Sequence, residues 1–214
     1  MDEFLLEGIW KWSTAEFIAQ SASAAPTPGG GSVSAYVGAL GASMVCMVAN
    51  LTVGKEKYKD VEPQVQDILA QGQNVLEALK TGLTQDIAEF SNFMAVLKLP
   101  KDTEEQKASR TTKLQEVLVA ATDTPLGIAQ NCFQVLKLAQ ALAPIGNKGA
   151  ISDVGVAAYL AESSLKSAMF SVDINLPQIK NADYQAKVTA ERERLFEQAA
   201  RICQETVAVV QSRL

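Results

Sequence analysis

The clearest hydrophobic pattern in the chain lies between Val61 and Leu97, where apolar residues recur at intervals of three or four. Ten such intervals cover 36 residues, and this period of 3.6 is the repeat of an α-helix. The pattern predicts one long amphipathic helix. Leu99-Pro100 ends it, because the residue before a proline disfavours helical backbone.

A second pattern is a shortage of charge. Between Glu16 and Lys55 lie 38 residues without a charged side chain, and Val33–Val53 is apolar on all sides. Such a segment is either a membrane span or a buried helix of a soluble protein. Its interspersed polar residues favour the buried helix. Another charge-poor helix is predicted over residues 153–171, and we expect these two helices to form the centre of the fold.

Capping signals place the remaining helices. The sequences Ser13-Thr14-Ala15-Glu16 and Thr103-Glu104-Glu105-Gln106 are capping boxes, which predict a short first helix and a helix that runs to about residue 122. Thr124-Pro125 predicts the start of a separate helix that ends near residue 143. Asn181 is the predicted cap of a last, charged helix. No segment alternates with period two, so we predict an all-α single domain over residues 1–214, with six to eight helices.

The charge balance and the residue composition exclude several classes of function. The chain has 24 acidic and 19 basic residues, a net charge of −5, and no histidine. An acidic balance disfavours a nucleic-acid partner, and the lack of histidine excludes Ser-His-Asp catalysis and histidine-ligated metal sites. The chain has three separated cysteines and an acidic Met1-Asp2-Glu3 start. These features predict reduced thiols in a cytoplasmic protein with no membrane partner.

The first candidate for chemistry is the loop Pro26–Ser32, which carries three consecutive glycines directly before the apolar helix. Glycines allow positive φ and the close approach of a ligand, and the start of a helix attracts anions. The loop lacks the Lys-Ser/Thr of a P-loop. The alternative is a turn that lets a buried helix begin in a crowded place.

The second candidate is Asp86. On a helical wheel it is the one charged residue inside the apolar arc of the Val61–Leu97 helix, between Phe90 and Phe93. Burial would raise the pKa of this carboxyl toward the range useful for acid–base catalysis. The alternative is a structural carboxylate that pairs with a neighbouring helix.

Two further segments are weaker candidates. The loop from Asn147 to Asp153 ends in Ser152-Asp153, which equally fits an ordinary helix start. The basic run of Lys55, Lys57 and Lys59 is either a solvated helix end or an attraction for a polyanionic ligand.

Together these segments resemble the cyclodeaminase domain of formiminotransferase-cyclodeaminase and its stand-alone bacterial relatives, some of them described as methenyltetrahydrofolate cyclohydrolases. The similarity covers about residues 14–185. It does not include the formiminotransferase domain of the bifunctional enzyme, and an acid, Glu56, interrupts the basic segment. The segments that carry the resemblance are Pro26–Ala35, Gly38–Ala42, Met47–Gly54, Asp86–Phe90, Lys98–Lys101, Gly146-Asn147, Ser152–Ala158 and Asp173–Leu176.

The resemblance implies an all-helical homodimer that acts on a one-carbon derivative of tetrahydrofolate, with Asp86 in catalysis. A dimer would also cover the two charge-poor helices, which one bundle of this size has limited capacity to bury. The residues predicted to bind the substrate are Gly29, Gly30, Gly31, Ser32, Asn50, Lys55, Asn147, Ser152, Asp153 and Asn175.

Three functions stay open from the sequence. The first is formiminotetrahydrofolate cyclodeaminase, in which N10 attacks the formimino carbon and ammonia leaves. The second is methenyltetrahydrofolate cyclohydrolase at the same site, and the third is a non-catalytic folate-binding protein. Both reactions call for a general base and a general acid and for no oxidation or reduction, so we expect no metal or redox cofactor beyond the tetrahydrofolate substrate.

Overall fold

The computed structural model describes residues 8–214, so the acidic start of the chain lies outside the described part. Within those residues there is no strand, which agrees with the predicted all-α class. The six α-helices are α1 (Thr14–Ser21), α2 (Gly30–Thr52), α3 (Glu62–Leu97), α4 (Glu104–Leu142), α5 (Ile151–Asn175) and α6 (Ala182–Arg213). Short 3₁₀ turns cover Ile9–Lys11, Glu56–Val61, Lys148–Ala150 and Leu176–Gln178.

The helix ends follow local chemistry. Both predicted capping boxes are formed, one by Ser13 with Glu16 and one by Thr103 with Gln106. Asn181 caps α6 by accepting a hydrogen bond from the backbone N–H of Tyr184 at 3.0 Å. The periodic segment forms α3 with nearly the predicted bounds. The start of α5 differs from the prediction, because Ala150 rather than Ser152 occupies its N-cap position.

Helices α2, α3, α4 and α5 form a ring in which each packs on the next, and α6 packs on α4 and α5. Small residues set the close spacing between α2 and α5. A Cβ atom placed on Gly41 would lie 3.3 Å from the carbonyl oxygen of Ala157, so the two backbones nearly touch. The two helices run antiparallel, and the Ser164 hydroxyl donates a hydrogen bond across the contact to the Ser34 carbonyl.

The two charge-poor helices are neighbours in this ring, and the prediction that they form its centre holds only for their inner faces. Each leaves a strip of apolar side chains uncovered, and Leu40 on α2 and Phe170 on α5 are 45% and 74% exposed. Among the described helices, Gly30–Thr52 is the one long and apolar enough to cross a membrane by length and composition. However, 61% of its apolar window is buried inside the fold, as in the core helix of a globular protein.

The predicted break at Thr124-Pro125 is wrong, because α4 continues through Pro125 as one helix of 39 residues. A proline inside a helix has no N–H to offer the carbonyl four residues earlier, here that of Ala121. The side chain of Asn175, at the end of α5, replaces the missing donor, and its Nδ2 lies 2.9 Å from the Ala121 oxygen. Pro125 itself is buried. Tertiary contacts therefore compensate for the proline.

This compensation predicts a measurable coupling. Asn175→Leu leaves the Ala121 carbonyl without its donor and should lower the free energy of unfolding by about 1–3 kcal/mol. In a Pro125→Ala background the new backbone N–H can serve the same carbonyl, so the cost of Asn175→Leu should shrink. Urea unfolding of the wild type, both single variants and the double variant measures the difference. An equal cost in both backgrounds would contradict the coupling.

Candidate active site

A cleft of about 400 Å³ opens at the end of the bundle where α2 begins and α5 ends. Four parts of the chain meet there: the loop before α2 with the first turn of α2, the C-terminal third of α3, the middle of α4 and the end of α5. The residues that line the cleft are Pro26, Thr27, Gly29, Gly30, Gly31, Asp86, Glu89, Phe90, Phe93, Ala121, Thr124, Ser171, Ile174, Asn175 and Gln178.

Asp86 lies in this cleft on α3, opposite the first turn of α2. The hydroxyl of Ser32, which is fully buried, donates a hydrogen bond of 2.6 Å to its Oδ2. Burial raises the pKa of the Asp86 carboxyl above its ordinary value, and the hydrogen bonds from the side chain and backbone of Ser32 act in the opposite direction. This confirms the direction predicted from the helical wheel. A raised pKa makes the ionised carboxylate a stronger base, which suits it to accept and return a proton.

Gly31 makes the contact between the two helices possible. A Cβ atom at this position would lie 2.1 Å from Oδ1 of Asp86, far inside contact distance. Of the two properties of glycine considered for this loop, positive φ is not used, since Gly54 is the one residue in the described part with a positive φ, at 72°. The lack of a side chain at Gly31 therefore lets the start of α2 lie close to the Asp86 carboxylate. The first turn of α2 also carries free N–H groups and partial positive charge, which favour a carboxylate beside it.

The charge of the cleft is one-sided. Among its lining residues Asp86 and Glu89 are acidic, and none is lysine or arginine. Phe90 and Phe93 supply flat apolar walls beside the carboxylates. The site therefore suits a planar ligand with positive charge near Asp86, and it offers no cation to an anionic group.

The structure divides the predicted site residues into two groups. Gly29, Gly30, Gly31, Asp86 and Asn175 line the cleft, and Ser32 contacts Asp86. Asn50, Lys55, Asn147, Ser152 and Asp153 lie at the opposite end of α2 and α5. Since α2 has 23 residues, the two ends are roughly 33 Å apart at about 1.5 Å per residue. One chain does not bring the two groups together.

At that distal end, Asn147 has a structural role within the chain. Its Nδ2 donates to the carbonyl of Leu51 at 2.7 Å, and its backbone N–H donates to the Thr52 hydroxyl at 2.9 Å. The next backbone N–H, that of Lys148, donates to the Tyr58 hydroxyl at 2.9 Å. These bonds fasten the loop before α5 to the C-terminal end of α2.

Sequence reasoning did not assign several lining residues to the site. Glu89, Phe90 and Phe93 follow Asp86 by three, four and seven positions on α3, so the helical period could have identified them. No sequence pattern marks the lining residues of α4 and α5, such as Ser171 and Ile174. Only the packing of those helices brings these residues to the cleft.

The described residues contain no cluster of three cysteine or acidic side chains suited to a metal ion. The three cysteines, Cys46, Cys132 and Cys203, are unpaired, as predicted, and all three are buried.

The protein is thus an all-helical domain in which a half-buried carboxylate lies against a glycine-rich helix start. The sequence model of the family described as formiminotransferase-cyclodeaminase matches residues 13–194. The chain therefore belongs to the formiminotransferase-cyclodeaminase family.

Individual relatives are similar over most of the chain. A protein named methenyltetrahydrofolate cyclohydrolase from Methylorubrum extorquens is 37% identical over 92% of this chain and 95% of its own length. The formimidoyltransferase-cyclodeaminase of Rattus norvegicus is 31% identical over 86% of this chain, which spans 34% of that relative's length. The crystal structure of formiminotetrahydrofolate cyclodeaminase from Thermotoga maritima matches with a TM-score of 0.86 at 27% identity, over 95% of this chain and 98% of its own.

The contact at Gly31 yields a test that needs no ligand. Gly31→Ala places a methyl group on the Asp86 carboxylate and should lower the free energy of unfolding by about 1–3 kcal/mol. Gly30→Ala is the matched control, since a Cβ atom there meets open space and alanine favours helix by up to about 1 kcal/mol. Asp86→Ala should remove most of the cost of Gly31→Ala. Chemical unfolding of the single and double variants measures both effects, and equal costs at positions 30 and 31 would contradict the contact.

Proposed function

We propose that this chain is a one-carbon tetrahydrofolate enzyme in which Asp86 transfers protons at the carbon that bridges N5 and N10. The observation that carries the proposal is the position of Asp86, with a raised pKa, against the start of α2 inside the cleft. Membership of the family supports the substrate class.

The charge of the cleft agrees with this substrate. The methenyl bridge of tetrahydrofolate is a cation, and so is a protonated formimino group. The carboxylates of Asp86 and Glu89 favour positive charge at the reacting carbon. The aromatic walls formed by Phe90 and Phe93 suit the flat pterin ring.

Of the two reactions, we propose hydrolysis of the methenyl bridge first, because a relative with that name matches this chain at 37% identity over nearly its whole length. Asp86 accepts a proton from water as the oxygen adds to the bridging carbon. It returns this proton to N5 as the bond from carbon to N5 breaks. The remaining hydroxyl proton leaves to solvent, and the product carries a formyl group on N10.

The cyclodeaminase reaction is the second candidate, supported by the similarity to the Thermotoga maritima structure. Here Asp86 takes the N10 proton as N10 attacks the formimino carbon, and it protonates the nitrogen that leaves as ammonia. In both reactions Asp86 transfers protons beside the carbon that bridges N5 and N10. Neither reaction is an oxidation or a reduction, and Asp86 can carry the proton transfers, so we also propose that tetrahydrofolate is needed without a metal or redox cofactor. The cytoplasmic location stays a prediction.

An absorbance assay on the purified protein tests the proposal. Loss of methenyltetrahydrofolate well above the uncatalysed rate supports the cyclohydrolase. Appearance of methenyltetrahydrofolate from the formimino substrate, with release of ammonia, supports the cyclodeaminase. No turnover in either assay would refute the proposed catalysis and leave the non-catalytic folate-binding interpretation.

Asp86→Asn keeps the volume of the side chain and removes proton transfer. General acid–base catalysis contributes about 10²–10⁴-fold, so kcat should fall by that factor. Glu89→Gln, a matched change in the same cleft, should lose far less, because Glu89 is not the carboxylate bound by Ser32. A loss below about threefold in Asp86→Asn would contradict the assigned role.

Folding of this variant is the necessary control. With its pKa raised, Asp86 stabilises the fold most when protonated, and this contribution is lost as the pH rises through the raised value. The amide introduced by Asp86→Asn stays uncharged at every pH, so the variant does not lose this stabilisation. The free energy of unfolding of Asp86→Asn at neutral pH should therefore not lie below that of the wild type.

Ser32→Ala should shift the pH dependence of the reaction. The base must be ionised, so kcat falls as the pH drops through the pKa of Asp86. The hydrogen bonds from Ser32 favour the ionised form, and losing the hydroxyl raises the pKa further. The acidic limb of the pH–rate profile should therefore move to higher pH. An unmoved or lowered limb would show that another group titrates.

A further inference from the structure

Two amide side chains, Asn175 and Gln178, line the cleft at the C-terminal end of α5. Each amide uses its nitrogen on a backbone carbonyl. Nδ2 of Asn175 lies 2.9 Å from the oxygen of Ala121, and Nε2 of Gln178 lies 3.0 Å from the oxygen of Ile174. A carbonyl oxygen accepts hydrogen bonds and donates none, so the amide atom beside it must be the nitrogen. The partners therefore fix the orientation of both amides.

Both of these carbonyls need a donor other than a backbone N–H of their own helix. Pro125 has no N–H for the Ala121 oxygen, and α5 ends before it can offer one to the Ile174 oxygen. This need keeps the amide nitrogens in place. In the described part of the chain, no group donates a hydrogen bond to Oδ1 of Asn175 or to Oε1 of Gln178. An amide oxygen can accept two hydrogen bonds, so both oxygens are available to a ligand in the cleft.

A third amide holds the turn after α5 against α4. Nε2 of Gln115 donates to the backbone oxygen of Gln178 at 3.0 Å, and its Oε1 accepts from the backbone N–H of Lys180 at 2.6 Å. From α6, Gln185 donates to the backbone oxygen of Ile179 at 2.6 Å. The turn that carries Gln178 is thus bonded to both neighbouring helices. Binding groups held in this way lose little conformational freedom when a ligand binds.

The cleft therefore offers hydrogen-bond acceptors from two separate helices. On α3 these acceptors are the carboxylates of Asp86 and Glu89. At the end of α5 they are the oxygens of Asn175 and Gln178. The lining contains no lysine, arginine or tryptophan, and its threonine and serine hydroxyls can either donate or accept. Such a cleft suits a ligand that carries several N–H donors.

We propose that Asn175 and Gln178 determine specificity for the reduced pterin ring, whose N–H groups donate hydrogen bonds to the two amide oxygens. The ring carries such donors at its amino group and at N3 and N8. The amino group lies at the end of the ring system that is remote from the bridge between N5 and N10. The substrate is thus held with its bridge at Asp86 and its amino end at the end of α5. This inference rests on the proposed function, which supplies the identity of the ring.

A matched pair of substitutions at Gln178 separates recognition from a structural role. Gln178→Ala and Gln178→Glu both remove the bond to the Ile174 oxygen, but Gln178→Glu keeps an acceptor. The side chain is exposed, so both variants should keep the helical content of the wild type. One hydrogen bond contributes about three- to tenfold to binding, so Gln178→Ala should raise KM by that factor and leave kcat within about twofold. Gln178→Glu should leave KM near the wild-type value. Equal KM values in the two variants would overturn the proposal.

The same comparison applies to Asn175 in a Pro125→Ala background, where the new backbone N–H at position 125 serves the Ala121 carbonyl. Asn175→Ala and Asn175→Asp then differ in whether an acceptor remains in the cleft. Relative to Pro125→Ala alone, Asn175→Ala should raise KM by about three- to tenfold, whereas Asn175→Asp should not. An unchanged KM in Asn175→Ala would overturn the role of this side chain.

A ring without a tail tests which part of the substrate the amides recognise. Tetrahydropterin carries the donors of the reduced ring but neither the bridge nor the glutamate tail. It should bind the wild type in an anaerobic calorimetric titration. Gln178→Ala should raise its Kd by the same factor as KM, and Gln178→Glu should not. The absence of binding to the wild type, or an unchanged Kd in Gln178→Ala, would overturn the proposal.

This titration requires no turnover, so it separates the recognition of the ring from the proposed catalysis. If the wild type turns over neither folate but binds the ring with this dependence on Gln178, the proposed function fails and the recognition stands. If turnover occurs while all three proteins bind the ring equally, the recognition fails and the proposed function stands.

Discussion

The contact between the Asp86 carboxylate and the first turn of α2 is the constraint on which the candidate site depends. It needs a helix start without a side chain at Gly31, a hydroxyl donor at Ser32 and a partly desolvated place on α3. Two of these features act on the pKa of the carboxyl in opposite directions. Burial raises it, and the hydrogen bonds from Ser32 limit the rise. A group balanced in this way can act as a base and then as an acid within one reaction.

A proline inside α4 affects the opposite side of the same cleft. Pro125 leaves the Ala121 carbonyl without a helical donor, and Asn175 supplies one from the end of α5. Ala121 and Asn175 both line the cleft. The proline thus fixes the end of α5 against α4 near Asp86, and a residue that would ordinarily interrupt a helix instead positions part of the site.

The charge-poor helices α2 and α5 account for both the close packing and the apolar surface of the fold. Their glycines and small residues let the backbones of α2 and α5 approach closely on the inner side. Their outer sides carry several exposed apolar side chains, and the cleft lies at one end of the pair.

The sequence by itself determined the helical class, the bounds of α3, the capping of α1, α4 and α6, and the place of Asp86 on the apolar arc. These features are local, because they depend on periodicity and on side chains within a few residues. The continuation of α4 through Pro125 was not predictable, since its compensating donor comes from Asn175, fifty residues further along the chain in a different helix. Likewise, the role of Gly31 is close approach rather than positive φ, because the atom it avoids belongs to another helix. The separation of Asn147 and Lys55 from the cleft was also decided by tertiary structure, since the length and antiparallel packing of α2 and α5 place them at the far end.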